Sequence, residues 1–328
     1  MKKFDTYAIT KKYLSVIAAI ALFFIAFIIG SALYRGFFSL QTFFNLFIDK
    51  PFLLVSAMGM SLVILSGGID LSVGSVAALA TMIVASITEF AGLSASVGIL
   101  AALTAGALIG MCMGFMIAYW NVPPFIVTLA GMFFARGACY LISVQSIFIR
   151  NQLLTDLALW KLHFGNAGFI NINVIIAVVV ILVVIFISLY TRFGRNIYAI
   201  GGNENSALLL GIPIKRTKVL VYTINGLCSA VAGIIFSLYM LSGYSLHLLG
   251  MEMDVIAAVV IGGTLLAGGT GYVFGSAFGV LSLAIIQSLI MFNGKVNSWW
   301  TKIVVGILLL LFIGLQRIIV AIGDIKRK

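Results

Sequence analysis

Charge is scarce in this sequence. Only 9% of its 328 residues are Asp, Glu, Lys or Arg, against about 25% in a soluble domain. With 62% hydrophobic residues and a mean hydropathy of +1.21, no water-soluble core could enclose so much apolar surface. Histidine is almost missing. His163 and His247 lie far apart in the chain and are expected in outer loops, each in a surface role, which leaves no pattern for a metal site or a His-based catalytic pair. The three cysteines, Cys112, Cys139 and Cys228, fall inside hydrophobic segments at no metal-ligand spacing, and are read as small packing residues. A phosphate-cradling G-x-x-x-x-G-K-[S/T] loop is also lacking. Its nearest approach, Gly294-Lys295-Val296, has neither the upstream glycine nor the hydroxyl residue. No nucleophile–base arrangement is visible, so the chain is not expected to be an enzyme by itself, or to bind metal.

Long apolar runs fill the space that charge leaves. A hydrocarbon core of about 30 Å needs about 20 helical residues to cross it. Ten such segments are expected, at 14–33, 51–66, 71–88, 93–118, 124–142, 172–190, 219–241, 253–267, 272–291 and 300–317. The fold class is therefore an all-α polytopic membrane protein forming one transmembrane domain over 1–328. The first run exceeds the 7–15 residues of a signal-peptide core and is read as an uncleaved span. The net charge of +11 does not imply nucleic acid, because the cations alternate in clusters with the spans. With ten crossings, one side collects Lys2, Lys3, Lys11, Lys12, Arg192, Arg195, Lys215, Arg216, Lys218, Arg317, Lys326, Arg327 and Lys328. The other collects Arg35, Lys50, Arg150, Lys161, Lys295 and Lys302, while Arg136 sits within a span, near enough to its end to snorkel. Both termini and the loop 191–218 are accordingly expected on the cytoplasmic side, and 143–171 is the longest outer loop.

Glycine marks the irregular places. Gly106, Gly110 and Gly114 share one helix face, as do Gly275 and Gly279; small residues there permit close helix approach, either in static packing or where helices slide. The segment Ser66-Gly67-Gly68-Ile69-Asp70-Leu71-Ser72-Val73-Gly74 breaks the helical pattern, since each glycine costs about 1 kcal/mol against alanine. Asp70 is flanked by apolar runs on both sides, and an aspartate at a span centre costs about 2.5–3.5 kcal/mol on insertion scales. Two readings stay open. Gly67, Gly68, Asp70, Ser72 and Gly74 line a polar break near the bilayer midplane, or they form a cytoplasmic turn in which Asp70 N-caps the next helix. A second glycine-rich interruption begins at Gly262-Gly263, shortly after Glu252 and Asp254, which are expected at an outer helix start. One such region in each half suggests two pseudo-repeated halves.

Within the loop 191–218, Asn203 suits an N-cap, Glu204 the first turn, Gly211 the C-terminal cap and Pro213 a stop. A two-turn helix carrying Ser206, Leu208 and Leu209 is expected there. It either lies on the membrane surface or docks into a partner's groove.

The stretch Gly67-Gly68-Ile69-Asp70-Leu71-Ser72-Val73-Gly74-Ser75 resembles the ribose/xylose/galactose-type ABC permease family. The likeness continues from Pro124 to Met132, at Arg192-Phe193-Gly194-Arg195-Asn196, at Ala199-Ile200-Gly201-Gly202-Asn203, at Gly211-Ile212 and from Ile256 to Thr264, and so covers essentially the whole chain. Within that family, Gly201-Gly202-Asn203, Gly131-Met132-Phe133-Phe134 and Ser298-Trp299-Trp300-Thr301-Lys302-Ile303 are most similar to a galactofuranose-transporter permease. The resemblance implies a bacterial inner-membrane sugar importer with a second permease, identical or related. It also implies a cytoplasmic ATPase that carries the ATP and Mg, none being bound by this chain, and a periplasmic sugar-binding protein. It turns the 203–211 helix into an ATPase-coupling element of Asn203, Glu204, Ser206, Leu208, Leu209 and Gly211. Another pentose or hexose, such as ribose, is the alternative substrate. A secondary sugar transporter would need ionisable relays in several spans, of which only Asp70 and Arg136 are candidates; a channel would need rings of filter residues, which are not apparent.

Overall fold

The computed structural model describes residues 2–34, 36–165, 168–293 and 299–325. Arg35, the Gly294-Lys295-Val296 segment, Ser298 and the terminal Lys326, Arg327 and Lys328 lie outside the described residues. The chain is built from helices: α1 (Lys2–Leu33), α2 (Leu40–Ile48), α3 (Pro51–Leu65), α4 (Val73–Glu89), α5 (Ala95–Tyr119), α6 (Pro124–Ile142), α7 (Gln152–Leu159), α8 (Ile172–Tyr190), α9 (Arg192–Gly202), α10 (Glu204–Leu209), α11 (Ile214–Met240), α12 (Met251–Ile261), α13 (Val273–Asn293) and α14 (Trp299–Ile325). Four short strands, β1 (Ile147–Phe148), β2 (Lys161–His163), β3 (Phe169–Asn171) and β4 (Ser242–Gly243), pair as β1–β4 and β2–β3.

Each of the ten expected spans holds a helix, but the helices are unequal. Among the described residues, six helices are long and apolar enough to cross a membrane, and α2 with α3 makes a seventh candidate bent by 59°. At eleven residues, α12 is about 16 Å long, roughly half a bilayer core. It does not start at an outer surface. Leu241 and Leu248 have φ of 48° and 58°, which ends α11 and turns the chain back inward. The Leu248 carbonyl then lies beside Gly74 of α4, and Glu252 is buried there. A leucine in the left-handed region is rare, and the surroundings hold this one: β4 pairs with β1, and the Ile149 amide donates to the Leu241 carbonyl at 2.9 Å.

Arg136 secures the same re-entrant segment. Its Nη1 donates to the carbonyls of Ser245 and, at 3.0 Å, His247. It therefore clamps protein backbone and does not snorkel outward. His247, expected in a surface role, is half-buried with its ring 5.0 Å from Phe236 and 5.7 Å from Tyr244.

At the centre stands α3, buried at all fifteen positions, as befits a helix that is apolar all round. The longer α11 packs against both α3 and α5. A Cβ on Gly106 or Gly110 would strike backbone of α11 at Gly226 or Tyr222, so that glycine face serves close packing. Gly275 similarly admits Gly262, the C-cap of α12, and Gly279 admits Ala258 of that helix.

Candidate helix-break site

Both breaks are made by the same local chemistry. At the end of α3, Gly67 takes φ +84°, its amide donates to Ile64 at 2.9 Å, and Gly68 donates to Val63 at 3.0 Å. At the end of α12, Gly263 takes φ +93°, its amide donates to Val260 at 2.9 Å, and Thr264 donates to Val259 at 3.2 Å. These are Schellman closures, in which a left-handed residue lets two amides satisfy the last carbonyls of the helix. Buried breaks need this, because an unpaired backbone group inside a membrane protein costs several kcal/mol.

Asp70 organises the first break. It is 1% exposed. Its Oδ1 accepts from the Ser72 amide at 2.8 Å and the Ser72 hydroxyl at 2.6 Å, while Oδ2 accepts from Asn225 Nδ2 at 2.8 Å. The carboxylate thus closes a turn onto Ser72, and Ser72, not Asp70, occupies the N-cap position of α4, with its hydroxyl turned to Asp70 and not to the helix. Asn225 lies eleven residues into the 27-residue α11, about 17 Å from its start. The Asp70 break consequently sits deep within the bundle and not on a surface turn. Thr128 of α6 adds a hydroxyl 3.4 Å from the Ile69 carbonyl.

The two breaks meet. The Gly269 amide donates to the Leu65 carbonyl at 2.9 Å, and a Cβ on Gly268 would lie 2.8 Å from the Cα of Gly67. The end of α9 enters the same place. A Cβ on Gly201 would overlap the Leu65 carbonyl, and Tyr198 Oη donates to the Gly271 carbonyl at 3.1 Å. Three glycine-bearing segments from distant parts of the chain touch backbone to backbone.

The sequence-expected helix follows directly. Asn203 Oδ1 accepts from the Ser206 amide at 2.8 Å, capping α10. Gly211 at φ +73° closes it, with Gly211 donating to Leu208 and Ile212 to Ala207. Glu204 pairs with Lys218 of α11 at 2.7 Å. Leu208, Leu209 and Leu210 are 64%, 88% and 77% exposed. A cavity of about 290 Å³ links this helix to the break, its lining shared by Ser66, Gly67 and Gly68 with Asn203, Glu204, Lys218 and Tyr222.

The structure therefore brings Gly67, Gly68, Asn203 and Glu204 around one cavity, with Asp70 and Ser72 just beyond. Gly262 and Gly263 close α12, and it is Gly268 and Gly269 that touch the first break. Gly74 stands apart, beside Glu252. Ser206, Leu208, Leu209 and Gly211 belong to the outward part of α10. Sequence reasoning missed Asn225 and Tyr222, which look like ordinary residues of an apolar span; an amide at mid-span was the available signal for the first.

Paired breaks buried in a bundle of long apolar helices define a predominantly helical, multi-pass membrane protein. The chain belongs to the family described as branched-chain amino acid transport system / permease component, whose pattern it matches over residues 42–313. It is 43% identical over 310 residues to the inner membrane ABC transporter permease protein YjfF of Escherichia coli K12, covering 94% of this chain and 93% of that one. It is 37% identical over 331 residues to the fructose import permease FruG of Bifidobacterium longum, covering 98% and 96%. The ribose import permease RbsC of Escherichia coli K12 is 37% identical over 287 residues, covering 86% and 88%. No solved structure matches the chain significantly. The protein is thus a multi-pass inner-membrane subunit of the sugar ABC permease kind.

Proposed function

We propose that this chain forms, with a second identical or related permease, the translocation pathway of an ABC importer for a monosaccharide, galactofuranose. A separate ATPase on the α9–α10 side, taken as cytoplasmic from the distribution of Lys and Arg, holds the ATP and Mg; a periplasmic binding protein delivers the sugar. The observation that carries the reading is the shared cavity between α10 and the first break. A push on the exposed leucines of α10 acts on Asn203 and Glu204, and through α9 on the backbone contact of Gly201 with Leu65. Residues 67–74 and 262–263 then rock between two packings, opening the pathway to each side in turn. The two pseudo-repeated halves contribute one break each, closed by the same hydrogen-bond pattern.

The choice of galactofuranose rests on the resemblance at residues 131–134, 201–203 and 298–303, while two relatives are named for fructose and ribose import. The test is ATP-driven uptake into proteoliposomes holding the permease pair, the ATPase and the binding protein, with labelled galactofuranose, ribose, fructose and leucine. Saturable uptake of galactofuranose in preference to the others is expected. Preferential uptake of ribose or fructose would reassign the sugar, and uptake without the ATPase would favour a secondary transporter.

A further inference from the structure

An apolar groove of about 640 Å³ runs between the last turns of α5 and the first turns of α11, on the side of the membrane that carries α10. Its walls are side chains such as Met111, Phe115, Met116 and Val219. From Met111 to Trp120 it extends about 13 Å along α5, enough for much of an acyl chain. Aromatic residues close the end nearest the helix termini. Phe115 stacks on Tyr119 at 4.6 Å, and Trp120 lies beside them at 6.0 Å, 63% exposed. Tyrosine and tryptophan settle at the level of lipid headgroups. At that same end, Arg216 lines the groove and Lys215 holds its Nζ 5.2 Å from the Tyr119 ring. Both cations are exposed, and neither enters an ion pair among the described residues.

We propose that this groove binds one anionic phospholipid, its acyl chain along α5 and its phosphate between Lys215 and Arg216. An apolar slot opening beside two cations outside any ion pair, with aromatic residues at the same end, fits an amphiphile with a negative head. Basic sites between spans on the cytoplasmic side recognise anionic headgroups by this chemistry.

Lipid quenching of Trp120 tests it. The full chain with W160F, W299F and W300F keeps Trp120 as its one tryptophan. It is reconstituted in bilayers where brominated phosphatidylglycerol is titrated against phosphatidylcholine, and the reverse. Two cations near a headgroup predict a preference of about thirtyfold for the anionic lipid, falling close to equality in K215Q/R216Q. Equal quenching by both lipids in the parent would overturn the proposal, as would a preference that survives in K215Q/R216Q. So would a Trp120 that neither lipid quenches, since protein would then cover the groove.

Discussion

Replacing Asp70 by asparagine is expected to leave the fold almost unchanged, whereas replacing it by alanine is expected to be severe. Asp70 is buried and accepts three hydrogen bonds, two from Ser72 and one from Asn225. In D70N the remaining oxygen keeps both Ser72 bonds. The new amide then faces Asn225, whose own Oδ1 has no partner, so turning the Asn225 amide over restores the third bond with donor and acceptor exchanged. The net change should stay within about 1 kcal/mol. D70A strands three donors, and with about 1–3 kcal/mol for each buried group left unsatisfied the loss is about 5 kcal/mol. N225A leaves one carboxylate oxygen unpartnered in the bundle interior and should cost about 3 kcal/mol. The assay is the temperature at which half of the monodisperse detergent-solubilised peak is lost, with the expected order wild type and D70N, then N225A, then D70A. Uptake by D70N should persist. If D70N proves as labile or inactive as D70A, the carboxylate acts through its charge and the turn-closing account fails; an N225A variant as stable as wild type would remove the cross-link between the break and α11.

Three other substitutions probe the packing. G110L places a side chain against the Tyr222 backbone of α11 and should abolish the monodisperse peak on size-exclusion chromatography. G201V meets the Leu65 carbonyl and the Gly269 amide; thermal stability should fall by several degrees and uptake should be lost, because α9 can no longer seat against both breaks. By contrast, D254A removes an ion pair with Lys302 whose partners are 28% and 55% exposed. Its melting temperature should move by no more than about 1 kcal/mol implies.

What could be read in the sequence was whatever is decided locally. Asn203, Gly211 and Pro213 specify α10 within a dozen residues, and caps of this kind carry their own stop and start signals. The double glycine and buried aspartate of residues 67–70 announced a break for the same reason. Its depth was not legible, since it is set by Asn225, 155 positions away. Segment 241–250 was read as an outer loop, and its turn back into the bundle was not legible because the left-handed leucines are held by the remote β1–β4 pairing and by Arg136. The short α2 escaped because Gln41 and Asn45, bonded to each other at 2.7 Å, interrupt an apolar run that is too brief to span a membrane. The meeting of Gly67, Gly201 and Gly268 joins three remote segments, which periodicity along one segment cannot reveal.

The claim at the centre of this account is that α10 receives the work of a separate ATPase, and E204R/L208D tests it most directly. Glu204 is 52% exposed in its pair with Lys218, an interaction worth about 1 kcal/mol at most, and Leu208 is 64% exposed, so the variant should fold normally. The measurement is ATP hydrolysis by the reconstituted importer with and without sugar-loaded binding protein, alongside uptake. The account predicts that sugar-stimulated hydrolysis and uptake both collapse while the melting temperature holds. Stimulation and uptake at wild-type levels in that variant would contradict it.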